Sequence, residues 1–103
     1  MSQFDNVSVS KKANVYFDGR CVSHAITLAN GEKKTVGVIF PSTLTFNTAA
    51  AEIMEVVSGR CRVLQKDASE WQEYGAGQEF HVPANSSFQI ETLELVDYVC
   101  HFA

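Results

Sequence analysis

Apolar and polar residues alternate along most of this chain in short runs, each stopped by a turn signal. A period of two is the pattern of a strand with one face buried. Val15-Tyr16-Phe17 is closed by Asp18-Gly19, and a weak alternation from Cys21 to Leu28 precedes Asn30-Gly31, a hairpin pair. The β-branched run Thr35 to Phe40 ends at Pro41-Ser42 and is followed by Thr43 to Thr48. Ala49-Ala50-Ala51-Glu52 is too short to start a helix, and Ile53 to Val57 returns to strand chemistry before Ser58-Gly59. Arg60 to Gln65, Trp71 to Tyr74, Glu79 to Val82, Ser87 to Glu91 and Val96 to Phe102 complete the set, with turns at Asp67 to Glu70 and at Gly75-Ala76-Gly77. Nine or ten short strands at regular spacing, with no helix, predict an all-β sandwich or barrel. The polar stretch 1–12 is expected to be loose or to form an edge.

Length and charge narrow this further. The 103 residues, 46% of them apolar, fit a single domain spanning 1–103 with a real core. A chain this short buries only about two-thirds of its surface, so a partner subunit is expected to help. The net charge is −4 and no basic stripe exists, which removes nucleic acid as a partner. No apolar run approaches the roughly 18 residues of a membrane helix. The first residues lack the apolar core of a secretory signal, so a cytoplasmic location is expected. Cys21, Cys61 and Cys100 are odd in number and widely spaced, which predicts reduced structural thiols rather than a disulfide framework.

Two spacings carry fold information. Glu52 is followed by six residues and then Gly59, and Gly77 by five residues and then Pro83. These resemble the two motifs of the cupins, small jelly-roll barrels in which two His and a Glu of the first motif and a His of the second hold a divalent metal. Here Glu52 matches the Glu. The two His positions fall on Phe46 and Thr48, or on Thr45 and Asn47 with the alternative spacer, and the last ligand position falls on Phe88. One carboxylate among these residues does not make a first-row metal site, which wants at least three converging N, O or S donors. The expectation is a single cupin-type jelly-roll barrel with its metal ligands absent.

Longer stretches resemble one family more closely: Asn14-Val15-Tyr16-Phe17-Asp18-Gly19-Arg20, Val36-Gly37-Val38-Ile39, Thr45-Phe46-Asn47-Thr48, Glu52 to Gly59, Trp71 to Gly77, Phe80-His81-Val82-Pro83 and Tyr98-Val99-Cys100. In order and nearly without gaps from about Ala13 onward, they resemble the pyrimidine/purine nucleoside phosphorylases. The resemblance implies a homodimeric, cupin-like pentosyltransferase without metal or organic cofactor. Inorganic phosphate is then the co-substrate that cleaves purine and pyrimidine nucleosides to free base and ribose 1-phosphate, with broad base specificity. Ala84 and Ser42 stand where glycine is usual, Leu44 where tyrosine is common, and His101 where some members carry arginine.

Such cleavage passes through an oxocarbenium-like transition state and needs a phosphate anchor, a hydrogen-bonded leaving base and a counter-charge to the sugar. Glu52 is the candidate catalytic group facing the sugar. Alternation then turns Phe46, Met54, Phe88 and Tyr98 inward as an apolar lumen for the base, and Thr45 and Thr48 offer hydroxyls to ribose or phosphate. Each of these also has an ordinary structural use, as core or as strand residue. For phosphate the cations are Arg20, Arg60, Arg62, His81 and His101; the sequence does not choose among them, and His101 is carried forward. With Glu52 inward, Ile53, Val57 and Val99 form an apolar outer stripe suited to a dimer contact. The alternative reading is a cupin module that binds a small sugar or nucleoside without turning it over.

Overall fold

The structure is a computed structural model, and residues 2–102 are described. It is all-β apart from one 3₁₀ turn, Phe17–Gly19. The strands are β1 (Ser8–Val9), β2 (Asn14–Tyr16), β3 (Cys21–Thr27), β4 (Lys33–Ile39), β5 (Ser42–Asn47), β6 (Glu52–Ser58), β7 (Arg60–Gln65), β8 (Gln72–Gly75), β9 (Glu79–Val82), β10 (Ser87–Thr92) and β11 (Val96–Phe102).

They form two antiparallel sheets. The larger has the order β1-β3-β4-β11-β6-β9, with β2 also paired to β3; the smaller has the order β5-β10-β7-β8. The expected all-β architecture is present, as two separate sheets rather than a ring of strands closed by hydrogen bonds. The stretch expected to be loose or edge-forming supplies the short edge strand β1, paired at Ser8↔Thr27 and Val9↔Ile26.

The core lies between the sheets. Cys21, Ile39, Met54, Val56, Phe80, Val82, Val96, Tyr98 and Cys100 come from the larger sheet; Leu44, Cys61, Val63, Phe88 and Ile90 come from the smaller. Both sets follow the period of two read from the sequence, because alternate side chains leave opposite faces of a strand.

Local signals also placed the turns, with two refinements. The β3–β4 hairpin closes around Ala29, Asn30 and Gly31, with the Leu28 amide donating to the Glu32 carbonyl at 2.8 Å and Gly31 at φ 88°. Ser58-Gly59 does not make a hairpin: β6 belongs to the larger sheet and β7 to the smaller, so the chain changes sheet there. Gly59 has φ 88°, and a Cβ on it would lie 2.3 Å from the Leu95 carbonyl oxygen. Only glycine satisfies both the left-handed backbone and that approach.

The two glycine-anchored segments meet directly. β6 and β9 are paired, with Glu52 opposite Val82 and Met54 opposite Phe80, and the Gly77 amide donates to the Val56 carbonyl at 2.9 Å. Glu52 is thereby held at one end of β6, between β9 and β11.

Candidate functional site

Glu52 shares the interior face of β6 with the buried Met54 and Val56, and is itself half-buried. The Cys100 thiol lies close enough to its carboxyl for each group to shift the titration of the other. Burial pushes the Glu52 carboxyl above its ordinary value, and the Cys100 contact offsets part of that. The thiol is pushed up to about 12, by burial first and then by the charge and hydrogen bond of Glu52, with Thr35 and Lys34 pulling it back. Glu52 is thus a carboxyl in a partly desolvated setting, where a nearby cation is felt more strongly than in water.

An unbroken file of aromatic rings runs through the interior. Phe46 stacks on Phe88 at 5.5 Å between centroids, Phe88 meets Phe80 edge-on at 5.6 Å, and Phe80 lies 4.9 Å from Tyr74. At the other end Phe46 meets Phe17 at 5.2 Å and Tyr16 at 6.4 Å. Phe88, Met54 and Tyr98 are buried, while Phe46 packs against the core and stays partly open. Tyr98 places its hydroxyl 3.4 Å from the Cys21 sulfur. Burial, then Cys21, holds its phenol far above the usual value, so this group is a neutral hydroxyl.

The structure therefore gathers Glu52, Phe46, Met54, Phe88 and Tyr98 on the interior side. It separates the other residues singled out from sequence. Thr45 is exposed, on the opposite face of β5 from Leu44 and Phe46. Thr48 is buried, but its hydroxyl donates to the Pro83 carbonyl at 2.7 Å and accepts from the Ser86 amide at 2.9 Å. That proton is already committed to tying two loops together.

The cations are likewise dispersed. Arg60 and Arg62 alternate with buried Cys61 and Val63, and so lie on the outer face of the smaller sheet. Arg60 faces Glu73 at 3.5 Å; Arg62 pairs with Glu91 and covers the Trp71 ring. His81 is exposed, 3.7 Å from Glu79. His101 follows buried Cys100 and turns to the outer face of the larger sheet, away from Glu52. There Nε2 meets Glu55 Oε1 and Nδ1 meets Lys34 Nζ, both at 2.8 Å. Arg20, directly after the 3₁₀ turn, is exposed and has no carboxylate within 4.0 Å among the described residues.

That outer face also carries a groove of about 670 Å³, walled by Phe4, Val36, Val38, Val57, Val99 and His101. The expected apolar stripe is there, but unevenly open: Val57 is exposed and Val99 is buried. Among the described residues no three or more His, Cys, Asp and Glu side chains converge as a metal would need. Among the described residues no helix is long and apolar enough to cross a membrane.

With this geometry in place, residues 11–102 match the family described as pyrimidine/purine nucleoside phosphorylase. The chain belongs to that family. Its relative of this name in Dechloromonas aromatica is 69% identical over 102 residues, covering 99% of each chain. A solved structure from Acinetobacter sp. ADP1, described as a protein of unknown function, superposes with a TM-score of 0.98 at 52% identity and full coverage of both chains. A putative ethanolamine utilization protein Q from Salmonella typhimurium superposes with a TM-score of 0.68 over 94% of this chain and 97% of its own. At 14% identity that likeness concerns the fold alone.

Sequence reasoning missed two parts of the site. Cys100 reaches Glu52 from β11, with Thr35 of β4 behind it, through strand pairing that no local spacing encodes. The position of Phe17 was hidden because Asp18-Gly19 reads as a plain turn, although the ring before it turns back onto Phe46.

Proposed function

We propose that the chain is a metal-independent nucleoside phosphorylase, and that the larger and smaller sheets act as an open jelly-roll barrel around its site. The observation that carries this reading is Glu52, a half-buried carboxylate on the interior side that also holds the aromatic file, in a member of the nucleoside phosphorylase family. Inorganic phosphate is the second substrate. Its oxygen bonds to C1′ as the C1′–N bond breaks, the bonding pair leaves with the base, and the proton of the hydrogen phosphate ends on that base nitrogen through solvent. The products are free base and ribose 1-phosphate.

Glu52 supplies the negative charge that faces the sugar as positive charge grows on it, and its dry setting strengthens that attraction. Phe46 and the rings behind it receive the base. A ring stack gives affinity without reading the base's edge, which suits broad specificity. Metal independence is supported by the donor set, since Phe46, Thr48 and Phe88 stand where ligands would be needed. His101 is replaced as phosphate anchor by Arg20, the one candidate cation attached to the loop whose ring touches Phe46. A homodimer formed through the outer face around Val57 is proposed to complete the assembly in the cytoplasm.

The test is incubation of the purified, EDTA-dialysed protein with uridine or adenosine, with and without phosphate, and chromatography of the products. Base release that requires phosphate and yields ribose 1-phosphate is expected, with Arg20→Met raising the KM for phosphate several-fold. Tight binding of nucleoside without release would overturn the enzymatic reading in favour of a binding module.

A further inference from the structure

We propose that Tyr16 and Phe17 form an aromatic lip over the interior site and that this lip holds the planar base of the substrate. The inference rests on the nucleoside reading above and assigns a binding and specificity role to residues outside the barrel strands that carry Glu52.

The backbone marks the place. Phe17 has φ 54°, Asp18 55° and Gly19 91°, three successive residues in the left-handed region. Glycine sits there freely, but a bulky aromatic residue does not, and such outliers gather where a ligand is held. The conformation is enforced from both sides. Tyr16 is paired with Cys21, the Arg20 amide donates to the Phe17 carbonyl at 3.2 Å, and the Phe40 amide donates to the Arg20 carbonyl at 2.8 Å.

This arrangement gives a corner of rings. Phe17 stands at 84° to Phe46 and Tyr16 at 74° to it. Behind them Phe46 lies nearly parallel to buried Phe88, at 22°. Phe17 is 39% exposed and Tyr16 46%, so two aromatic surfaces remain in water beside a third that leads into the core. A free ring face next to an ordered stack is a seat for one more flat, weakly polar ring. A nucleobase has that shape. The file continues through Phe80, which is paired with Met54, and Met54 lies one alternation, about 7 Å, along β6 from Glu52. Phe46, the ring that the lip meets, shares the interior side with Glu52, so a base at the lip turns its ribose toward that side.

Stacking area then sets preference. A two-ring purine covers more of the corner than a one-ring pyrimidine, so loss of the lip weakens purine nucleosides more. Phe17→Leu keeps apolar bulk and removes the π face, Phe17→Gly relaxes the backbone, and Phe17→Trp restores an aromatic face. For folded Phe17→Leu and Phe17→Gly, the KM for adenosine should rise tenfold or more, the KM for uridine less, and the KM for phosphate by no more than twofold. Phe17→Trp should restore the KM for adenosine to within threefold of wild type. A KM for adenosine within twofold of wild type in both Leu and Gly variants would overturn the lip. Calorimetric titration of adenosine without phosphate separates this from the reaction itself. If wild-type protein binds adenosine but never releases base, phosphorolysis fails, and the lip stands only if Phe17→Leu weakens that binding tenfold. If wild-type protein does not bind adenosine at all, both fall.

Discussion

A carboxyl drawn part-way out of water burdens the folded state only when it is ionised. Burial raises the Glu52 carboxyl above 4.5, its ordinary value. Below that value the group is protonated in both folded and unfolded chains and costs nothing. As pH rises through the raised folded value, ionisation inside the protein lags and stability is lost. Glu52→Gln removes the titration, so its stability advantage over wild type should be larger at pH 8 than at pH 4, read from urea midpoints. The same substitution removes the charge proposed to face the sugar and should lower kcat by about 100-fold or more, the range of a positioned ionisable group. A variant that is both more stable at pH 8 and nearly inactive identifies a group kept for chemistry. Equal activity would remove Glu52 from the site.

At the scale of elements, most strands were legible because each buries one face and so writes a period of two. Val96 to Phe102 is an example: Val96, Tyr98 and Cys100 face the core while Asp97 and His101 turn away. The sidedness of His101 was therefore readable in principle, once Tyr98 was turned inward. β1 was not readable, because two paired residues leave no period to detect. The change of sheet at Ser58-Gly59 was hidden for another reason: a serine–glycine turn signal states that the chain bends, not which sheet receives it. The Cβ clash with Leu95 supplies the missing constraint. Gly59→Ala should destabilise the fold by about 2–3 kcal/mol, combining a strained backbone with a close contact. Gly77→Ala shares the left-handed φ at 85° but meets nothing within 4 Å, so it should cost less. Equal losses in thermal or urea unfolding would show that the Leu95 approach does not matter.

Across the whole molecule, three free thiols sit buried in the core, and the proposed reaction gives none of them a step. Burial, with the Glu73 charge adding to it, pushes Cys61 up to about 11, and Cys100 is up at about 12. Cys21 is raised too, by burial, with the Tyr98 contact opposing. The thiolate is the reactive form, so native protein at pH 8 should be alkylated at least about 100-fold more slowly than protein in urea. Rapid labelling of one cysteine without unfolding would reveal an opening of the core between the sheets. The candidate site was legible at this scale only in part. Period and motif placed Glu52 and the inward rings, but the dispersal of the cations depends on strand pairing between distant segments, which sequence spacing does not report.

The strand order has a further consequence, for the nascent chain. β11 lies between β4 and β6, and β10 lies between β5 and β7, each inserted between strands made before it. Neither sheet can grow outward in the order of synthesis. Until the last strands leave the ribosome, β4 and β6 present unpaired edges and the inner aromatic rings have no opposite wall. Folding therefore waits on long-range pairings, made late and together. Such topologies fold slowly and expose sticky edges meanwhile. For this small domain, the period of greatest risk is the interval before β11 is inserted.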